Sequence, residues 1–198
     1  HNPSLDSIEP IHKIHAWIDQ LKNQGKVRAF GVSVRSPADG LWVIDKLKVQ
    51  SIQVNFNLLD HRVIDSGLVK SSAQNQVSLI ARTPLCFGFL SGRLSKNTCF
   101  DKLDHRSRWP NQQINNWIRG STKMLAYKAN SSSQTNTQFA LRFCLSYPQI
   151  ATAIPGILNE EEVKENIIAS DLGPLEASQI REVQKAYKEV RLLIEDES

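Results

Sequence analysis

The sequence predicts an α/β protein built on a parallel sheet. Two observations predict it. Four short runs of apolar and β-branched residues alternate with stretches of helical period, and no short-period repeat or low-complexity segment breaks the alternation. Strands that alternate with helices form βαβ units with right-handed crossovers, so the strands run parallel. At 198 residues the chain can bury a substantial core, and residues 1–198 are expected to form a single domain. A complete (β/α)8 barrel typically needs about 250 residues, so the chain is short for one.

The elements follow in order. After Pro10, the residues Ile11, Ile14, His15, Ile18 and Leu21 keep a helical period, and Gly25 supplies a stop. Val27 to Val34 reads as a buried strand. A helix then starts near Pro37 and carries Leu41, Val43, Ile44 and Leu47; Ile52 to Leu58 is the second strand. Helix resumes over Val63 to Asn75, and Val77 to Thr83 is the third strand, ended by Pro84.

No period is sustained from Leu85 to Asn111, a segment with Gly88, Gly92, Pro110 and the cluster Asp104-His105-Arg106-Ser107-Arg108-Trp109. In a compact domain a loop longer than about 15 residues is usually functional or disordered. Asp104 to Trp109 either orders this loop over a ligand, with Trp109 as a wall, or pairs its own charges. Helical patterns return over Gln112–Lys128 and Thr137–Tyr147, separated by a polar turn at Asn130–Ser133. Ile150–Ile154 is the last strand, followed by helices from Glu160 to Ala169 and from Glu176 to about Leu193. Trp17, Trp42 and Trp117 fall in helical patterns and read as packing residues.

Composition is that of an ordinary globular protein, 40% hydrophobic and 22% charged. The net charge is +4, but Lys and Arg are interspersed with Asp and Glu, which indicates a mixed solvated surface and not a nucleic-acid partner. No apolar run approaches the roughly 20 residues of a membrane span, and no signal peptide opens the chain, so no membrane partner and a cytoplasmic location are expected. Cys86, Cys99 and Cys144 lie in no metal or disulfide spacing and read as reduced thiols. His12 and His15 stand about one turn apart without a third ligand, so no metal site is expected.

Ligands of a (β/α) barrel bind in the loops at the carboxyl ends of its strands. Here those ends present Ser33, Gln53 with Asn55, Arg82-Thr83, and the segment from Gly156. Glycine-containing loops after the third and fourth strands favour phosphate through backbone amides and a helix N-terminus, although such loops also serve as plain turns.

The motifs His1-Asn2-Pro3, Gly31-Val32-Ser33, Gln53-Val54-Asn55, Ala81-Arg82-Thr83-Pro84-Leu85 and Ile154-Pro155-Gly156, in that order, resemble the aldo-keto reductases. The resemblance covers essentially the whole chain and implies the C-terminal half of a TIM barrel, about strands 5 to 8, with His1 at the end of strand 4. In that family the matching histidine sits beside the substrate carbonyl and hydrogen-bonds the developing oxyanion. By the same resemblance Ser33 and Gln53 hold the nicotinamide carboxamide, and Arg82 stands where Tyr or Trp often lies flat against the nicotinamide ring. Thr83 and Pro84 match cofactor-binding positions, and Leu85, Gly88, Leu90, Ser91 and Gly92 match the loop around the pyrophosphate, with glycine amides aimed at phosphate. Val34 replaces an Asn common in the family.

Ile154, Gly156 and Asn159 match cofactor-binding positions, Glu162 matches a position at the adenosine ribose, and Glu165 with Asn166 matches the pair at the adenine. Glu162 stands where Arg or Gln is expected. A carboxylate repels a 2′-phosphate and accepts hydrogen bonds from a free ribose hydroxyl, so the cofactor is NAD or NADP with NAD favoured. The implied activity is reduction of a small aldehyde or ketone by hydride transfer.

The family's acid tyrosine, with its lysine and aspartate, maps to strands before His1, and Tyr127, Tyr147 and Tyr187 occupy no strand end. This stretch alone is therefore expected to be inactive. The alternative is a non-catalytic half-barrel that binds nucleotide or another protein. A half-barrel exposes two sheet edges and an apolar face, which a missing N-terminal half or a second copy is expected to cover.

Overall fold

Four parallel strands form one sheet in the order β1 (Gly31–Ser33), β2 (Ser51–Asn55), β3 (Ser78–Arg82) and β4 (Ile150–Ile154). The structure is a computed structural model that describes residues 1–8, 10–128 and 133–195, with side chains through residue 190. Of the polar turn expected at Asn130–Ser133, residues 130–132 lie outside the described residues. The chain divides into two compact units. The first holds His1–Phe56, Arg62–Arg82 and Pro148–Ile154, and the second holds Asn57–His61, Thr83–Tyr147 and the chain from Pro155.

In the first unit, side chains alternate across each strand. Ile52 and Val54 of β2 and Leu79 and Ala81 of β3 are buried, under α2 (Pro37–Leu47) and α4 (Leu68–Gln74), which contact β2 and β3 respectively. The opposite face carries Ser33, Gln53, Asn55, Ile80 and Arg82, all half-buried. Helix α2 begins at a capping box in which Ser36 and Asp39 each accept the other's backbone N–H, with Pro37 at the first position; such a cap is worth about 1 kcal/mol. Gly40 lets α2 and α4 approach closely, since a Cβ there would meet Leu68 Cδ2 at 2.8 Å.

Three expectations change here. The strand expected over Val27–Val34 is only Gly31–Ser33, because the Phe30 N–H donates to the Gln50 side chain at 2.9 Å instead of continuing the ladder. The helix expected over Val63–Asn75 is two pieces, α3 (Arg62–Asp65) and α4, broken where Gly67 takes φ +79°. Helix α1 (Ile11–Asn23) buries no residue fully, and Trp17 is 66% exposed rather than packed. Ile11, Ile14, His15 and Ile18 form the half-buried stripe, and Trp17 falls off it.

In the second unit, α6 (Asn136–Leu145) packs against α7 (Glu160–Asp171), and α5 (Asn111–Leu125) packs against α8 (Ala177–Glu195). Phe139, Ala140, Phe143 and Cys144 of α6 are fully buried. His61 is also buried, its ring stacked on Tyr187 at 3.8 Å and on Phe143 at 4.9 Å. Desolvation pushes the His61 pKa down to about 3, so the ring is neutral at neutral pH. Arg142 ties α6 to the turn before α8 by donating to the Gly173 and Pro174 carbonyls at 2.7 and 2.9 Å. Within the aperiodic stretch, short 3₁₀ turns form at Cys86–Ser91 and His105–Arg108.

Candidate functional site

The register places Ser33 beside Gln53 and Asn55 beside Arg82. Because the strands are parallel, these four side chains gather at their carboxyl ends, on the face away from α2 and α4. Arg82 is the hub. Its Nε donates to Asn55 Oδ1 at 2.8 Å, Nη1 to Asn2 Oδ1 at 2.8 Å and Ser33 Oγ at 3.0 Å, and Nη2 to the Val34 carbonyl at 3.1 Å. Ser33 Oγ in turn donates to Gln53 Oε1 at 3.1 Å. With its oxygen engaged, the Gln53 amide presents its NH2 end as donor. Burial draws the Arg82 pKa below the usual arginine value, but a guanidinium stays charged.

The segment before β1 joins this set. The Asn2 N–H donates to the Ser33 carbonyl at 2.8 Å, and Arg35 Nε donates to the Asn2 carbonyl at 3.0 Å. The preceding His1 is exposed.

The second unit holds the remaining candidates. Asn57 Nδ2 donates to the Thr83 carbonyl at 3.0 Å. Thr83, Cys86 and Phe87 take φ of +50°, +45° and +54°, and Gly88 and Gly92 +94° and +75°. Left-handed backbone at non-glycine residues costs about 1 kcal/mol or more each. Pro84 is buried and Leu85 half-buried. The Gly88 and Leu90 N–H groups both donate to the Leu85 carbonyl, at 3.0 and 3.1 Å, so they are engaged inside the turn instead of standing open to phosphate. The Ser91 hydroxyl donates to the Gly88 carbonyl at 2.7 Å.

Asn159 caps α7 by accepting the Glu162 N–H at 2.9 Å, and Glu162 Oε2 accepts the Leu158 N–H at 2.8 Å. Arg93 reaches two acidic residues of this helix, Glu162 at 3.5 Å and Glu165 at 3.6 Å. The Asn166 amide nitrogen is buried and has no hydrogen-bond partner among the described residues. It is a donor that fits an acceptor such as an adenine ring nitrogen. Ile154 and Gly156 are exposed.

The cluster from Asp104 pairs its own charges. Arg106 forks onto the Asp104 carboxylate at 2.6 to 3.1 Å, donates to the Phe87 carbonyl at 2.8 Å, and lies over the Phe100 ring at 4.5 Å. Its hydrogen bonds hold the Asp104 pKa at about 2. Trp109 and Trp117 meet the Phe87 ring at 5.0 and 5.8 Å. Sequence reasoning missed Arg93 and Phe87. Arg93's partners lie about seventy positions away, at Glu162 and Glu165, and no local signal marks either residue.

The Aldo/keto reductase family model matches residues 2–188, both units included. The chain belongs to the Aldo/keto reductase family. It is 26% identical to the L-glyceraldehyde 3-phosphate reductase of Escherichia coli (strain K12) over 182 residues, which covers 83% of this chain and 51% of that protein. It is 24% identical to the NADP(+) aldo-keto reductase yakc of Schizosaccharomyces pombe, covering 89% and 53%. The chain spans about half the length of these curated relatives. Two solved structures share the fold. They are a glycerol dehydrogenase from Gluconobacter oxydans (TM-score 0.75, 23% identity, 96% of this chain and 57% of that one) and the holo form of an aldo-keto reductase from Bacillus halodurans (0.70, 21%, 96% and 62%).

In this aldo/keto reductase chain, Tyr127 and Tyr147 follow α5 and α6, and Tyr187 lies in α8. Tyr147 Oη accepts from Gln184 at 2.9 Å, and burial pushes its pKa up to about 12. The three cysteines are free, and burial raises the pKa of Cys86 and Cys144. Among the described residues no His, Cys, Asp or Glu cluster is arranged to hold a metal, and no helix is long and apolar enough to cross a membrane.

Proposed function

We propose that this chain provides the dinucleotide-binding part, about barrel strands 5 to 8, of an NAD(P)-dependent reductase of small aldehydes or ketones. One observation carries the reading: a family member places a serine, two amides and an arginine together at the carboxyl ends of three parallel strands. The match of the family model over residues 2–188 supports reading residues 1–198 as one partial-barrel domain.

When bound, the dinucleotide supplies the hydride. The chain's residues bind and orient. Ser33 and Gln53 hold the carboxamide, a group that needs both a donor and an acceptor. Arg82 has its N–H edges engaged in the strand-end network, and its planar face suits the nicotinamide ring. Thr83 to Gly92 would lie along the pyrophosphate. Asn159 and Glu162 would hold the ribose, Glu165 and Asn166 the adenine, and His1 would hydrogen-bond the substrate oxygen.

Glu162 supports NAD over NADP. Its carboxylate already occupies the Leu158 N–H, a backbone donor a 2′-phosphate would want, and its charge opposes that phosphate. The 198 residues alone lack a strand-end tyrosine acid among those described, so binding without turnover is the expected behaviour. The free cysteines support a cytoplasmic location. The outer edges of β1 and β4 support pairing with a further barrel half or a second copy.

The test is a fluorescence titration with NADH and NADPH, followed by turnover with aldehydes. Saturable binding is expected, with NADH tighter by about fivefold or more; E162Q should erase that preference. Turnover by the chain alone would overturn the inactivity reading. Failure to bind either nucleotide would overturn the whole assignment.

A further inference from the structure

Asn2 is held at three points. Its N–H, carbonyl and side-chain Oδ1 engage Ser33, Arg35 and Arg82 at 2.8, 3.0 and 2.8 Å. Its backbone is left-handed, φ +48°, a conformation that asparagine tolerates better than most residues. The Ser33 carbonyl it meets points away from β2, because the next residue, Val34, donates its N–H to Gln53 on the β2 side. Asn2 therefore binds the outer edge of β1. Arg82 sits two strands away, on β3, yet reaches this same residue, and it also reaches Ser33, Val34 and Asn55.

We propose that Arg82 is a positioning residue that ties the segment His1-Asn2-Pro3 to the ends of β1 and β2 and so sets the place of His1. The proposal rests on the reading of His1 as the residue at the substrate oxygen. The geometry also explains why arginine is needed. A guanidinium presents five N–H donors in a fixed plane, enough to serve four separate acceptors at once, whereas a lysine ammonium offers three from a single point. Holding Ser33 Oγ as an acceptor directs its own hydrogen to Gln53, so the same side chain sets the orientation of the Gln53 amide.

The experiment is amide hydrogen exchange on the full chain, comparing residue 2 with Ile52 and Val54 of the central strand β2. In R82K, exchange at Asn2, corrected for intrinsic rates, should rise at least tenfold while Ile52 and Val54 stay within twofold. N2G removes the acceptor without straining the left-handed backbone and should release residue 2 to the same extent. R82K added to N2G should then add nothing further. N2D restores an acceptor and should keep residue 2 protected.

Unchanged protection of Asn2 in R82K would overturn the tie. So would an equal rise at all three amides, which marks a general loss of stability. Should R82K not fold, the N2G and N2D pair decides alone: equal exchange in both would overturn the proposal. Exchange needs no ligand, so a wild-type chain that fails to bind NADH counts against the proposed function and leaves this result standing.

Discussion

The strand ends of the first unit and the loop Thr83–Gly92 of the second hold their shape in different ways. At the strand ends, side chains from β1, β2 and β3 hydrogen-bond one another on regular backbone. In the loop, the backbone bonds to itself at Leu85, runs through five left-handed residues, and is anchored by the buried Phe89 and Leu90. The comparison teaches that the sheet separates chemistry from stability while the loop couples them. A strand-end side chain can change without cost to the ladder beneath it. A loop residue cannot change without moving the amides that would meet a phosphate.

The largest expected effect follows directly. F89A removes a ring that is 1% exposed, and should cost about 3–5 kcal/mol in denaturant melts. A cost below about 1 kcal/mol would show that the loop is not anchored as described. Acid should act next most strongly, and on the second unit. Native His61 stays neutral down to about pH 3, whereas an unfolded histidine takes up a proton near pH 6.5. The unfolded state therefore binds more protons in this window. Stability should therefore fall progressively as pH drops from about 6.5 towards 3. Denaturant midpoints of H61F across that range should show a flatter dependence.

G88A should cost about 1–2 kcal/mol, because φ +94° is closed to alanine and the new Cβ would meet Arg106 Nη1 at 3.3 Å. It should also weaken nucleotide binding, which tests the coupling. Q53A is the opposite case. Its stability change should stay within about 1 kcal/mol, the net worth of the Ser33 hydrogen bond it loses, while nucleotide binding weakens about tenfold, the worth of one well-placed hydrogen bond. A Q53A variant that melts early would break the contrast between the two regions.

How much of this was legible follows the same division. Alternation in Ser51-Ile52-Gln53-Val54-Asn55 is enough to place Gln53 and Asn55 on one face, because the period of a strand is local. β4 matched its expected bounds, and the helix starts were readable from the proline at Pro37 and from the acidic run at Glu160. The strand expected from Val27 was too long because the bond that ends it comes from the Gln50 side chain, twenty residues on. Gly67 divides a helix whose apolar pattern runs straight through it. Within Leu85–Asn111, the turns rest on Arg106 at the Phe87 carbonyl and on rings of Trp109 and Trp117, contacts that no local pattern encodes. The Arg82 network was half legible. The resemblance marks Arg82 as a site residue, but its bond to Asn2 spans eighty positions.

The most direct test of the central claim is a titration of the wild-type chain and Q53A with NADH, paired with thermal melts of both. The account predicts saturable binding by the wild type, about tenfold weaker binding by Q53A, and melts that differ by no more than about 1 kcal/mol. No saturable binding by the wild type, or equal binding by the two proteins, would contradict it.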